Sequence, residues 1–482
     1  MAPSATGLLR KPDTTLPHRL ARSARTVHDA LVPMAELRAW IAERGAAQLH
    51  EVHRIPFAEL DKWRFDDATG DLAHDSGRFF RIQGLRVRSD HGPVRSWTQP
   101  IINQPEIGIL GILVREIDGV LHCLMQAKTE PGNVNGVQLS PTVQATRSNY
   151  QRVHQGSAVP YLEHFRDAPE QHVLSDVLQS EQGSWFYRKR NRNMVVEVRG
   201  PVAEHEDFRW VTLGQLHALL HEDNLVNMDA RTVLSCFPGG FEGAAESTSD
   251  HSVGAALAAS GDPGAGSLHT TSEVRSWITA RQSEHVVRAD LMPLNAVRDW
   301  RRGRDEIHHA QHNFFRIVAV DVRSNSREVG GWTQPLLEPH GIGMVALLVK
   351  RVDGVLHALV NARVEPGYLD VVELAPTVQC TPENYERLGV DYRPPFLKVV
   401  LGRAPHQVLF DTELSEEGGR FHQARNRYQI IEVEPDFPAG SLAGDLPDFR
   451  WLTLHQLTEL LKHSHYVNVQ ARSLIACLRG LS

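Results

Sequence analysis

The sequence lacks the features that mark several large classes of protein. Its longest apolar runs, such as 108–114 and 343–349, are too short to cross a bilayer as helices, and residues 1–17 contain no apolar core of a secretory signal. The formal net charge of −7 argues against nonspecific binding of nucleic acid. We therefore expect a cytoplasmic protein that binds neither membrane nor nucleic acid.

Familiar cofactor and metal motifs are also missing. No GxGxxG or Walker loop, GxSxG or HExxH occurs, so the sequence supports no dinucleotide, ATP, serine-hydrolase or zinc-protease site. The four cysteines form no CxxC pair, and buried free thiols explain them best. His308, His309 and His312 form a histidine cluster, but the other half of the chain has no matching cluster, which favours polar surface over a metal site. We expect no metal and no cofactor.

The chain does contain one module twice. Trp97-Thr98-Gln99-Pro100 recurs as residues 332–335, GVLHCLMQAKTEPG (119–132) recurs as GVLHALVNARVEPG (354–367), and QLSPTVQATRSNY (138–150) recurs as ELAPTVQCTPENY (373–385). Roughly half of the positions between 108 and 150 are identical to their partners, without a gap. Each unit spans about two hundred residues, which suits a globular domain rather than a short solenoid repeat.

The repeat predicts the domain organisation. We expect a disordered tail over residues 1–25, a first repeat over 26–237, a flexible Gly-, Ala- and Ser-rich linker over 238–270, and a second repeat over 271–482. The two repeats should pack about a pseudo-twofold axis.

Local patterns predict an α+β class with mixed or antiparallel sheets. Apolar alternation around Asp118-Gly119, repeated at Asp353-Gly354, indicates a β-hairpin in each unit. Residues 194–198 and 429–433 read as further strands, each following a basic stretch. Helical spacing at 213–220 and 454–461 follows Thr212 and Thr453, which are placed to cap.

One fragment partly mimics the metal-binding helix of Nudix hydrolases. TELSEEGGR (412–420) has the closely spaced glutamates, but Lys398 and Ala404 stand where the motif has Gly and Glu, and the first repeat reads VLQSEQGSW (177–185). A magnesium site needs several carboxylates around one ion. We predict a loop between strands, without metal.

Longer motifs resemble those of one family. EPG (130–132 and 365–367), the PTVQ segments, SEQG followed by RKRNRN, and SEEGGRF followed by ARNRY are together similar to the NDP-hexose 2,3-dehydratases, from about Leu37 to Cys477. The resemblance implies two tandem Nudix-like domains per subunit, a homodimer, a nucleotide-sugar site in each half, and no metal.

The resemblance also implies a reaction. Water would be eliminated across C2 and C3 of dTDP-4-keto-6-deoxy-D-glucose to give a dTDP-3,4-diketo-2,6-dideoxyhexose, in deoxysugar biosynthesis for an antibiotic, and a 3-ketoreductase would act on the unstable product. Because the C4 ketone acidifies the C3 proton, the reaction needs only a base, an acid and donors to the enolate oxygen.

The catalytic candidates lie in the repeated polar motifs. Glu130 and Glu365 end a strand before Pro-Gly, where a carboxylate can face a pocket or cap the turn. Tyr150 and Tyr385 can donate to an enolate oxygen or anchor a loop. His122, like its counterpart His357, lies in mid-strand, and packing is the alternative to a catalytic role.

The binding candidates come from three repeated motifs. Arg190-Asn191 and Arg425-Asn426 suit a diphosphate, since guanidinium forks match phosphate oxygens. Trp97, Thr98 and Gln99, with Trp332, Thr333 and Gln334, suit a thymine ring, or else a structural indole over the hairpin. Further substrate contacts are expected from Arg147, Ser148, Asn149 and Asn384.

The sequence leaves two questions open. Arg147 and His154 favour the first repeat as the reacting half, whereas Glu373, facing Gln138, adds a carboxylate to the second. A Nudix-type pyrophosphohydrolase and a noncatalytic nucleotide-sugar binding protein are the alternative functions.

Overall fold

The computed structural model describes residues 13–147, 158–239, 252–327, 329–387, 393–438 and 446–481. It confirms the predicted α+β class. None of the helices within these ranges combines the length and apolarity needed to cross a bilayer.

The first half of the chain contains five described helices and twelve strands. The helices are α1 (Leu16–Arg25), α2 (Met34–Ala47), α3 (Glu163–Arg166), α4 (Leu213–Leu219) and α5 (Met228–Ser235). The strands are β1 (His50–Ile55), β2 (Trp63–Phe65), β3 (Leu72–His74), β4 (Arg81–Ser89), β5 (Ser96–Asn103), β6 (Gly108–Ile117), β7 (Val120–Thr129), β8 (Val137–Ser140), β9 (Val143–Ala145), β10 (Val173–Ser180), β11 (Arg190–Glu197) and β12 (Phe208–Thr212).

The second half repeats this order. Its described helices are α6 (Val253–Gly261), α7 (Thr271–Glu284), α8 (Pro382–Arg387), α9 (Leu397–Leu401), α10 (Leu454–Leu461) and α11 (Val469–Arg479). Its strands are β13 (Val287–Met292), β14 (Trp300–Arg302), β15 (Glu306–His309), β16 (Phe315–Ser324), β17 (Gly331–Pro339), β18 (Gly343–Val352), β19 (Val355–Val364), β20 (Val372–Ala375), β21 (Val378–Cys380), β22 (Val408–Ser415), β23 (Arg425–Glu432) and β24 (Phe449–Thr453).

Each half builds a seven-stranded mixed sheet. In the first half the order is β10-β11-β6-β7-β12, with β8 on β7 and β9 on β6, and the second half repeats it with β22, β23, β18, β19 and β24. Strands β6 and β11 run parallel, and the other pairs are antiparallel. Because β6 and β7 are apolar and central, their side chains belong to the cores on both faces of the sheet.

The smaller sheets exchange a strand between the halves. Strand β1 of the first half pairs with β16 of the second, with His50 opposite Ser324, and β13 pairs with β4, with Val287 opposite Ser89. The exchange is reciprocal, as a pseudo-twofold relationship requires.

The predicted hairpins and helix caps are confirmed. Asp118 and Gly119 have φ values of 50° and 75°, which fit the type I′ turn that Asp-Gly favours, and Asp353-Gly354 repeats them. The Thr212 side chain accepts from the Gln215 amide and forms a capping box at the start of α4. Thr453 does the same for α10.

Two predictions of disorder were wrong in part. Residues 16–25 of the expected tail form α1, and residues 253–261 of the expected linker form α6. Both helices repeat the sequence Leu-Ala-X-Ser, which buries Leu20 in one half and Leu257 in the other. Ser23 donates to the Leu121 carbonyl and accepts from the Leu213 amide. Ser260 makes the equivalent bonds in the second half, so these helices belong to the repeated domain.

The closing helices α5 and α11 pack against each other and join the halves. Arg231 is fully buried and donates to the carbonyl of Ser415 in the other half, at 2.7 Å. Arg472 donates to the Ser180 carbonyl at 2.6 Å in the mirrored arrangement. These bonds tie each helix to the end of a strand in the opposite half.

Candidate active site

The repeated EPG motif of each half meets the glycine loop of the other half. The Gly367 amide donates to the Gly183 carbonyl at 2.8 Å, and the Gly132 amide donates to the Gly418 carbonyl at 2.7 Å. A Cβ atom at Gly367 would collide with the carbonyl oxygen of Phe186, so only glycine allows this approach. We call these contacts the second junction (Gly367 with Gly183) and the first junction (Gly132 with Gly418).

A cavity of about 820 Å³ opens at the second junction. Both halves contribute to its walls, since Trp97 and Trp185 come from the first half and Trp300 and Phe314 come from the second. Its polar lining includes Arg363, Glu365, Gln379 and Tyr385. The size and the mixed aromatic and polar lining suit a small organic ligand.

Glu365 is the most constrained of these polar groups. Its carboxylate accepts from Arg363 Nε at 2.7 Å, from the Ser184 amide at 3.1 Å and from the Gln379 amide group at 3.2 Å. Asn468 in turn donates to Gln379 at 2.8 Å and fixes its orientation. The carboxylate, which is 4 % exposed, is therefore held rigidly with both oxygens occupied.

Arg363 keeps a positive charge at the cavity wall. Burial works to lower the pKa of its guanidinium, but the adjacent Glu365 raises that pKa above its ordinary value. A fixed guanidinium beside an aromatic cavity can stabilise an oxyanion or a phosphate oxygen.

The first junction has more acidic surroundings. Here Lys128 Nζ lies 3.8 Å from Glu130 Oε1, and Gln144 donates to the same oxygen at 2.9 Å. Asp229 stands where the second half has Gln470, and Glu417 stands where the first half has Gln182.

Burial raises the pKa of two of these carboxyls. The pKa of Glu417 is raised to about 7, and that of Asp229 is raised well above its usual range, with the nearby Glu181 adding to the effect of burial in both. The second junction has Gln182 and Gln470 at these two positions. These amides carry no charge at any pH, so a diphosphate is better accommodated there.

The Trp-Thr-Gln motif supplies a wall of the cavity. Trp97 Nε1 donates to Gln99 at 2.8 Å, and Gln99 donates to the Ser184 carbonyl at 2.8 Å. The Thr98 hydroxyl accepts from the Arg298 amide at 2.7 Å. These polar atoms are engaged within the protein, which leaves the Trp97 ring as the surface offered to a ligand. Trp332, Thr333 and Gln334 make the equivalent bonds in the other half, where the Thr333 hydroxyl accepts from the Asp61 amide.

Tyr385, a catalytic candidate, and Asn384, a candidate for substrate contact, both line the cavity. The Asn384 side-chain oxygen accepts from the Phe314 amide at 3.0 Å, which ties α8 to the wall. Their counterparts Asn149 and Tyr150, together with Ser148 and His154, lie outside the described residues. Arg147 is exposed and is not among the residues lining the cavity.

The two Arg-Asn pairs were predicted to precede a strand, but they form the first residues of β11 and β23. Asn191 donates to Glu181 at 2.7 Å and Asn426 donates to Glu416 at 2.5 Å, so both amides anchor the glycine loops. Asn426 also lines the cavity, whereas neither Arg190 nor Arg425 does. The guanidinium at the cavity wall belongs to Arg363.

His122 lies away from both junctions. It occupies the start of β7, whereas Glu130 follows the end of that strand, about 25 Å along an extended chain. Its Nδ1 donates to the Val120 carbonyl at 2.9 Å, and the residue is 2 % exposed. The structure therefore places His122 in the packed end of the sheet and not with the other candidates.

Sequence reasoning missed Arg363, Gln379 and His91, all of which line the cavity. The first two lie within the repeated motifs, where Arg363 stands opposite Lys128 and Gln379 opposite Gln144. Among the described residues, His91, His285 and Asp448 bring potential metal-ligand atoms within 4.8 Å of one another. No motif signalled this group because its members come from distant parts of the chain.

Comparison with known proteins points to one family. The family model described as NDP-hexose 2,3-dehydratase matches residues 34–237 and 271–478. A protein of Saccharopolyspora spinosa named dTDP-4-dehydro-6-deoxy-alpha-D-glucopyranose 2,3-dehydratase is 52 % identical over 473 residues, covering 96 % of this chain and 95 % of its own length. Proteins with the same name from Amycolatopsis orientalis and Streptomyces violaceoruber are each 47 % identical, covering 100 % and 93 % of this chain and 97 % of their own lengths.

Proposed function

The chain belongs to the NDP-hexose 2,3-dehydratase family, and from this premise we propose that it eliminates water across C2 and C3 of dTDP-4-keto-6-deoxy-D-glucose. The product is a dTDP-3,4-diketo-2,6-dideoxyhexose. The observation that carries the assignment to the second junction is the fixed Arg363–Glu365 pair, which lies beside Tyr385 in a cavity with aromatic walls.

The cavity residues supply what the elimination needs. Removal of the C3 proton creates an enolate at C4, and the Arg363 guanidinium stabilises its oxygen. Tyr385 protonates the C2 hydroxyl as it leaves. Glu365 positions Arg363, because its own oxygens already accept three hydrogen bonds. The Trp97 ring stacks on the thymine base.

The same proposal includes the further properties that the family resemblance implies, namely the fold type, the oligomeric state, the location and the next enzyme. Each half is a Nudix-like fold, two chains form a homodimer, and the enzyme works in the cytoplasm in deoxysugar biosynthesis for an antibiotic. A 3-ketoreductase consumes the diketo sugar, which is unstable. The mixed seven-stranded sheet of each half is compatible with the fold, and light scattering of the purified protein tests the dimer.

Incubation with dTDP-4-keto-6-deoxy-D-glucose and a chelator tests the reaction. We expect release of free dTDP from the unstable diketo sugar, and a stable reduced product when a ketoreductase is added. Magnesium-dependent cleavage of the diphosphate would instead identify a pyrophosphohydrolase, and binding without turnover would identify a nucleotide-sugar binding protein.

A further inference from the structure

A histidine of the first half lines the second-junction cavity. His91 lies on the turn between β4 and β5 and shares the cavity wall with Trp97, Arg363 and Glu365. Behind it stands His285, the residue that ends α7, with ring centroids 4.6 Å apart in an edge-to-face arrangement. Strand exchange creates this contact, because β13 brings the end of α7 beside β4.

Two carboxylates lie beside His285. Its Nε2 lies 3.5 Å from Asp448, and its Nδ1 lies 3.9 Å from Asp90. The side chains of Asp448, His285 and His91 therefore form one group, with ionisable atoms within 4.8 Å of one another, at the cavity wall. A carboxylate close to an imidazole stabilises the imidazolium that forms when the ring gains a proton.

The matching group beside the first junction has neither imidazole. Ser326 stands in the place of His91, Gln48 in the place of His285 and Asp207 in the place of Asp448. Gln48 donates to Asp207 at 3.0 Å, so the carboxylate has a partner there as well. The fold therefore does not require histidine at either position.

The other histidine that lines the cavity, in contrast, has a histidine at its matching position. His309 packs edge-on against Trp300 with ring centroids 5.5 Å apart, and its counterpart His74 packs against Trp63 at 5.4 Å. A contact present in both halves is explained by packing. The His91 arrangement lies beside the second junction, and the matching positions beside the first junction hold no histidine.

We propose that His91 is the base that removes the C3 proton of the substrate, and that His285 and Asp448 are positioning residues: His285 packs against the His91 ring, and the Asp448 carboxylate stabilises the imidazolium so formed. This inference rests on the proposed function and adds the proton acceptor that it lacked. Glu365 is a poor alternative because its oxygens are occupied, and burial raises the pKa of the Cys380 thiol to about 11.

The charges around His91 suit a base. Burial lowers the pKa of its imidazole, His285 and Arg363 lower it further, and the carboxylates of Asp448 and Asp90 raise it. The ring is therefore neutral near pH 7 and able to accept a proton. Activity should rise as pH increases through this pKa, which lies below 6.5.

The proton balance is complete without another reactant. His91 takes the C3 proton, and the C3–H electron pair forms the enolate with C4. When C4=O re-forms, the pair becomes the C2=C3 bond, and the C2 hydroxyl leaves as water with the Tyr385 proton. The resulting enol tautomerises to the diketone, and His91 and Tyr385 return to their starting states by proton exchange with solvent.

A bound metal is the other use for such a group, since three donor atoms lie within 4.8 Å. Two cations argue against it. Arg281 Nη1 lies 3.5 Å from the Asp448 carboxylate, and Arg363 is near enough to affect His91. A divalent ion would be repelled by both.

The central test is His91→Ser, which installs the residue found at the matching position of the second half, Ser326. We expect kcat to fall at least about 100-fold and exchange of the substrate C3 hydrogen with D₂O to stop, while the dissociation constant for dTDP stays within about threefold of wild type. Retention of C3 exchange, or of turnover within about threefold, would overturn the proposal.

The variant His285→Gln, which installs the residue type found at the matching position, Gln48, gives a second and independent readout. Removing His285 removes a group that lowers the pKa of His91, so the acid limb of the kcat/KM profile should move to higher pH. An unmoved limb would overturn the proposal even if His91→Ser fails to fold. So would loss of wild-type turnover in a chelator with recovery on adding Zn²⁺. Wild-type protein without any dehydratase activity would overturn the proposed function itself.

Discussion

The Gly367 amide donates to the Gly183 carbonyl at 2.8 Å, so the strand end that carries Glu365 in one half rests on the glycine loop of the other. The cavity is therefore built by an interface within one chain. Side chains on either side of this contact hold their positions only while the two halves stay packed together.

Gly367→Ala should damage both stability and activity. The added Cβ would meet the Phe186 carbonyl oxygen, which cannot move without disturbing the glycine loop. We expect the free energy of unfolding to fall by about 1–3 kcal/mol, together with loss of turnover. Gly45→Ala is the matched control, because nothing lies within 4 Å of a Cβ there and α2 should gain about 0.5–1 kcal/mol. Urea denaturation measures the free energy of unfolding of both variants, and an equal change in the two would contradict the expectation.

Arg363→Lys should separate charge from geometry. Lysine keeps the positive charge but cannot donate at once to Glu365 and to the Gln379 carbonyl, which Arg363 Nη1 reaches at 3.0 Å. We expect kcat/KM to fall roughly 100-fold. Lys128→Arg makes the reverse change at the first junction and should alter kcat/KM by less than about threefold. A larger effect from Lys128→Arg would place the reaction at the first junction instead.

Glu373→Gln should change how stability depends on pH. Glu373 is buried and accepts from Ser180 Oγ at 2.5 Å, and burial raises its pKa to about 8. Since the folded-state pKa lies above the unfolded value of 4.5, this group's contribution is full below about pH 4.5 and is lost as pH rises towards 8. The loss approaches at most about 1.4 kcal/mol for each pH unit.

The first half already carries the neutral residue at this position. Gln138 accepts from Ser415 Oγ at 2.9 Å, so glutamine preserves the hydrogen bond. The variant should be more stable than wild type at pH 8 and differ less at pH 5, as measured by denaturant midpoints. A constant difference across this range would show that Glu373 does not titrate there.

Trp97→Leu should weaken nucleotide binding. Stacking of a base on an aromatic ring contributes about 1–3 kcal/mol, so the dissociation constant for dTDP should rise roughly 5- to 100-fold while kcat at saturation changes less. Trp332→Leu alters the matching ring, whose hydrogen bond to Gln334 is 2.7 Å. Calorimetric titration of both variants with dTDP measures the two dissociation constants. A loss of dTDP affinity confined to Trp332→Leu would place the nucleotide site at the first junction instead.

Local chemistry explains what the sequence could predict. The Asp118-Gly119 hairpin and the Thr212 cap depend on adjacent residues, so their patterns were sufficient. The α1 and α6 helices were missed because their repeated Leu-Ala-X-Ser is short and lies in segments rich in small residues.

The features that the sequence could not predict depend on pairing between strands that are distant along the chain. The alternation of apolar and polar residues predicts that His122 lies on a strand. It does not indicate which end of that strand lies next to the site. Nothing local indicates that β13 pairs with β4, and this pairing brings His91 to His285. The repeated motifs located Glu365 and Tyr385 because both lie in the segments that form the cavity.

The reciprocal pairing of β1 with β16 and of β13 with β4 also governs how the polypeptide matures during synthesis. When the ribosome has produced only the first repeat, β4 still lacks its neighbour, since Val287–Met292 has not emerged. That open edge can recruit strands from other nascent chains. Completion of the smaller sheets therefore depends on translation of the second repeat, and expressing the repeats as separate genes would require the two products to associate before either smaller sheet could be completed.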